Sequence, residues 1–114
     1  MWLKVGLDQS SVIDTSYGMK YVSGENLMKH YFNDSIAEKL DEDKFLENMW
    51  NNFDAMFDWG DCDFFDSDKC LKLSEWLKIK LSSCHDFELR EFYSLLLEYS
   101  IIAVEHKTGV YFDF

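Results

Sequence analysis

The chain has 114 residues, of which 22 are acidic and 11 basic, for a formal charge of −11, and 47% are hydrophobic and 18% aromatic. That apolar content excludes a disordered chain and is enough for one domain, 1–114, to bury a core without metals or disulfides. No apolar run approaches the ~20 residues of a membrane-spanning helix, and the opening MWLKVGLDQSS lacks the apolar stretch and cleavage site of a secretion signal. The expected location is therefore the cytoplasm, with no membrane partner.

In chain order, WLKVGL (2–7) and YGMKYV (17–22) alternate like strands and predict a hairpin. Ser23 then reads as the N-cap of a short helix carrying Leu27, Met28, Tyr31 and Phe32, interrupted at Asn33–Asp34. Residues 35–40 predict a further helical turn. From Asp41, the spacing of Phe45, Leu46, Met49, Trp50, Phe53, Met56 and Phe57 predicts a longer helix ended by Gly60. The stretch DWGDCDFFDSD (58–68) reads as a loop, and Ser67 as the cap of a helix through Cys70, Leu73, Trp76, Leu77 and Leu81. That helix has a basic polar face, Lys69, Lys72, Lys78 and Lys80, expected to lie against part of the acidic middle. Residues 86–107 predict a long central helix ended at Gly109, and VYFDF after it predicts an edge strand returning to the N-terminal hairpin. The expected fold is α+β: a single domain with a small antiparallel sheet from both chain ends and a helical middle of about four helices.

The charge is unevenly placed. Between Glu25 and Asp68 there are 13 acidic residues against Lys29, Lys39 and Lys44, a net of −10, which leaves −1 for the remainder. This middle also holds Phe45, Trp50, Phe53, Phe57, Trp59, Phe64 and Phe65. An acidic balance repels nucleic acid, whose phosphates are met by Lys and Arg, and speeds encounter with cationic surfaces. Direct nucleic-acid binding is not expected, and a protein partner with a basic surface is.

Chemistry-bearing patterns are sparse. Read as a calcium loop from Asp58, the template's glycine position holds Asp63 and its final acid position Lys69; from Asp61, position 5 is Phe65 and position 6 Asp66. Cys62, Cys70, Cys84 and His85 lack the short paired spacing of a zinc site, and an odd number of cysteines argues against a disulfide framework. Cys84, His85 and Asp86 are consecutive and do not point at a common centre as a nucleophile, base and orienting acid would. With five unclustered glycines there is no phosphate loop. No catalytic residue, metal or cofactor is predicted, and the chain is not expected to be an enzyme.

A short acidic α+β chain with an aromatic, acidic middle and a GVYFDF ending resembles the small immunity proteins that bacteria pair with polymorphic or contact-dependent toxins. The resemblance implies a stoichiometric inhibitor that covers a toxin's active site or substrate groove, commonly that of a basic nuclease. By that analogy, and from charge and aromatic content, the expected contacts are Asp54, Asp58, Asp61, Asp63, Asp66 and Asp68, with Trp59, Phe64 and Phe65 as apolar anchors. The same electrostatics suit a phage-type nucleic-acid mimic that occupies a restriction or CRISPR effector, and an acidic adaptor is the third alternative.

Overall fold

A computed structural model describes residues 1–15 and 17–114. Its strands are β1 (Trp2–Gly6), β2 (Val12–Asp14), β3 (Lys20–Val22), β4 (Leu27–Tyr31), β5 (Cys62–Asp66) and β6 (Gly109–Asp113), and its helices α1 (Ser35–Glu42), α2 (Phe45–Phe53), α3 (Ser67–Ser83) and α4 (Phe87–His106). The protein is α+β, with an antiparallel sheet built from both chain ends in the order β4-β1-β6-β5 and a separate β2–β3 hairpin. The Cα radius of gyration, 13.3 Å, is that of one compact unit of this length.

Alternation decides what the sheet buries. Leu3 and Val5 on β1, Val110 and Phe112 on β6 and Phe65 on β5 share one face, all fully buried beneath the helices. Trp2, Lys4, Tyr111 and Phe64 occupy the opposite face, part of which the β2–β3 hairpin crosses. Below the first face, α3 and α4 pack as an antiparallel pair, and α4 contributes Leu89, Phe92, Tyr93, Leu96, Tyr99 and Ala103 to the core. Both helices start on an aspartate that accepts a backbone N–H three residues on: Asp66 from Lys69 at 2.8 Å and Asp86 from Leu89 at 3.0 Å. α4 ends at Lys107 in the left-handed region, with Thr108 N–H donating to the Ala103 carbonyl at 2.9 Å.

Several expectations are corrected. Residues 2–6 pair with β4 and β6, while 20–22 pair with 12–14, so the hairpin joins different partners from those expected. The segment 27–31 is a strand and not a helix: although Leu27, Met28 and Lys29 are good helix formers, the five residues gain a full ladder against β1, and pairing overrides propensity in so short a piece. Asp43–Lys44, with Lys44 at φ 59°, separates α1 from α2. Helix α2 stops at Phe53, before Gly60 is reached, because Asp54 turns left-handed at φ 53°. Strand β6 is central, not an edge, and the stretch 62–66, expected as loop, is the edge strand β5. Asp66, not Ser67, caps α3, because its carboxylate sits where the first helical N–H groups are free.

Among the described residues, the basic face of α3 forms an ion pair with the acidic middle through Lys80. Lys80 lies 2.9 Å from Asp43, and the Tyr93 hydroxyl donates to the same carboxylate, tying the α1–α2 junction to α3 and α4. Burial first, then the Asp43 hydrogen bond, drive the Tyr93 hydroxyl well above its ordinary range, so it stays a donor at any physiological pH.

Candidate functional site

The acidic surface is shaped by how α2 ends. Asp54 N–H donates to the Trp50 carbonyl at 3.0 Å and Ala55 N–H to Met49 at 3.3 Å, the paired bonds that close a helix with a left-handed residue. The chain then runs back beside α2 outside any helix or strand, lining one cleft with it. Ala55 and Phe57 turn inward, and Met56 turns out. A turn follows at Asp58–Asp61, held by Asp61 N–H to the Asp58 carbonyl (3.0 Å), Asp58 N–H to Asp61 Oδ2 (3.1 Å) and Trp59 N–H to Asp58 Oδ1 (2.7 Å). Gly60 sits at φ +90°, which a side chain would oppose.

Trp59 fastens this turn to the body. Its ring stacks on Phe114 with centroids 5.4 Å apart at 24°, and its Nε1–H donates to Asp41 Oδ1 at 2.8 Å. Half-buried and bonded at both ends, it is a pin more than a free anchor.

Between α2 and the returning segment lies a cleft of about 470 Å³. Trp50, 55% exposed, and Met56, 74% exposed, supply its open apolar surface, with Leu46 and Phe57 behind them. Asp41, Glu47, Asp58 and Asp61 carry the charge of its walls, and no Lys, Arg or His lines it. The helical pattern hid Trp50 and Met56. Phe45, Met49 and Phe53 already form the buried stripe of α2, so the adjacent Leu46–Trp50 row is surplus to its core face, and Met56 lies beyond the helix altogether.

The residues predicted from sequence are dispersed. Asp54, Asp58, Asp61 and Asp68 are exposed, the last in the first turn of α3. Asp66 is exposed but occupied as a cap. Asp63 is half-buried with Oδ1 accepting from Phe64 N–H at 2.8 Å; loss of water around it raises its carboxyl above the ordinary range, against the opposing pull of that hydrogen bond and of Lys69. Phe65 does not serve as an anchor: it is fully buried, 4.9 Å from Phe112 and 5.9 Å from Phe53, because the β5–β6 register turns it to the core face. Phe64 points the other way, half-buried over Gly109.

Phe64 also walls a second cleft, of about 590 Å³, lined by Tyr17 and Met19 of the hairpin tip and by Tyr21 of β3. Lys20 and Lys69 face Asp63 and Asp66 there, so its charge is balanced where that of the α2 cleft is all of one sign. Among the described residues, no group of three or more His, Cys, Asp or Glu side chains is placed to hold a metal ion, and no helix is long and apolar enough to cross a membrane. Burial pushes the Cys70 thiol up to about 12, and its Sγ–H donates to the Phe65 carbonyl at 3.3 Å, so it is a core residue and not a nucleophile.

Comparison with protein-family models, with curated proteins and with solved structures finds no match for the chain.

Proposed function

We propose that the chain is a small acidic binding protein of the immunity type, which neutralises a toxin by covering a basic surface with the face formed by α2 and the segment 54–61, exposed carboxylates elsewhere, such as Asp68, adding to the attraction. The observation that carries this proposal is the α2 cleft, where exposed Trp50 and Met56 lie among four carboxylates with no cation of the chain's own beside them. Such a surface is costly for an isolated protein. Like charges repel the compact state, and large apolar side chains in water forgo burial. A cationic partner removes both costs at once, and long-range attraction speeds its approach. On this view the protein acts by occupancy, not by turnover.

The test is inhibition. The partner captured from the native host is purified, its activity is measured, and the chain is added in rising amounts. Loss of activity complete at a fixed small ratio, weakened when Asp58 and Asp61 are both changed to Asn, is the expected result. An activity untouched by saturating chain would overturn the proposal.

A further inference from the structure

We infer that the α2 cleft seats one arginine side chain projecting from the basic protein partner, its guanidinium laid on the Trp50 indole. This rests on the proposed function above and narrows it to one residue type at one place.

Charge complementarity selects a cation. Asp41, Glu47, Asp58 and Asp61 line a cleft that no basic side chain enters, and none of the four takes part in an ion pair among the described residues. An uncharged or acidic occupant would strip water from these carboxylates with nothing in return. The apolar lining then chooses between cations. These carboxylates are spread along a cleft faced by Trp50 and Met56, and do not gather into a group placed to hold a metal ion. A guanidinium is the larger fit. It is planar, is less strongly hydrated than an ammonium, stacks on an aromatic face and directs several N–H donors outward in its plane. Its methylene stem would cover Met56, where a lysine ammonium would present a compact hydrated charge.

Local hydrogen bonds hold the receiving atoms in place. Asp41 Oδ1 is engaged by the Trp59 indole, Asp58 Oδ1 by Trp59 N–H and Asp61 Oδ2 by Asp58 N–H, so each carboxylate is oriented through one oxygen while the other has no partner among the described hydrogen bonds. That pre-ordering reduces the entropy lost when a guanidinium is bound.

The experiment titrates the full chain, labelled with ¹⁵N, with three capped tripeptides, Gly-Arg-Gly, Gly-Lys-Gly and Gly-citrulline-Gly, following the indole N–H signals of its four tryptophans. The arginine peptide should move the Trp50 signal saturably, half-complete at ~1 mM as befits a single small ligand. Lysine should bind at least threefold more weakly, and citrulline, which keeps the shape and loses the charge, should leave the signal still. Glu47→Gln should weaken the arginine response severalfold with the other indole signals unchanged, and Trp50→Ala should abolish binding by the Asp58 and Asp61 amide signals while the fold persists. Equal response to arginine and lysine, or to arginine and citrulline, would overturn the inference. Arginine binding that moves only signals near Asp66 and Asp68 would also overturn it and leave the basic-partner proposal standing; a partner found to be bound through an acidic surface of its own would sink both.

Discussion

Phe64 and Phe65 are neighbours in the chain and lie on opposite sides of one sheet, the first over Gly109 and the second 4.9 Å from Phe112 in the interior. Two adjacent rings thus have different work. Phe65→Ala should lower stability by about 3 to 5 kcal/mol, as for a large buried ring, whereas Trp50→Ala, on the open surface of α2, should cost less than about 1 kcal/mol. Urea unfolding of both variants measures this. A Phe65→Ala protein as stable as the parent would place that ring outside the core.

Gly109 is required by contact, not by backbone angle. A Cβ built there runs into the Phe64 ring and comes within 2.6 Å of the Phe65 carbonyl oxygen. Gly109→Ala is expected to cost about 1 to 3 kcal/mol, the usual range for overpacking. Adding Phe64→Ala should recover part of that loss, because the ring is one of the obstructing groups. The coupling in a double-mutant cycle should be at least about 0.5 kcal/mol; additive losses would remove the ring from the explanation.

Charge and shape should separate in the kinetics of partner binding. Asp54, Asp58, Asp61 and Asp68 are exposed, so changing them together to Asn, with the helix cap Asp66 left intact, should slow association roughly tenfold at low salt and flatten its salt dependence. Trp50→Ala should act mainly on dissociation, by about tenfold for each 1.4 kcal/mol lost. Stopped-flow and surface-capture measurements give both rates. If the four-fold Asn variant associates with unaltered rate and salt response, these carboxylates are only a solvated face.

Asp63 predicts a pH dependence of unusual sign for an aspartate. Its carboxyl is raised above the ordinary 3.8 by burial, so the folded chain favours the protonated form. The stability this gives is full below the ordinary value and is lost as pH rises through the folded value. Asp63→Asn keeps an acceptor for Phe64 N–H and has no proton to lose. Its melting midpoint should equal the parent's below the ordinary aspartate value and exceed it at pH 7. A gap that is constant with pH, or one that opens toward acid, would contradict the burial of this carboxyl.

Legibility in the sequence followed length and periodicity. α3 and α4 repeat an apolar pattern over 17 and 20 residues, so both helices could be read directly, although the cap of α3 is Asp66 and not the Ser67 that the sequence suggested. β5 could not. Cys62, Phe64 and Asp66 share one face and Asp63 and Phe65 the other, so each side carries a phenylalanine and an aspartate and no alternation survives. Only the ladder with β6 decides which ring is inside. The site was half visible for a related reason: the concentration of charge is a property of composition, but Trp50 and Met56 became open surface only because Asp54 ends α2 four residues after Trp50 and reverses the chain.

The strand order also governs when in the life of the chain a fold can exist. β6 joins β1, made first, to β5, which has no other partner in the sheet. A nascent chain paused anywhere before Gly109 therefore holds β5 unpaired and the apolar side of α4 without the Val110 and Phe112 that cover it. Vectorial synthesis can pair β1 with β4 early, but the β1–β6 and β5–β6 ladders form only after residue 113 clears the ribosome. Until that moment the polypeptide exposes apolar surface that only its own last strand can cover, and whatever the domain binds must wait for that strand.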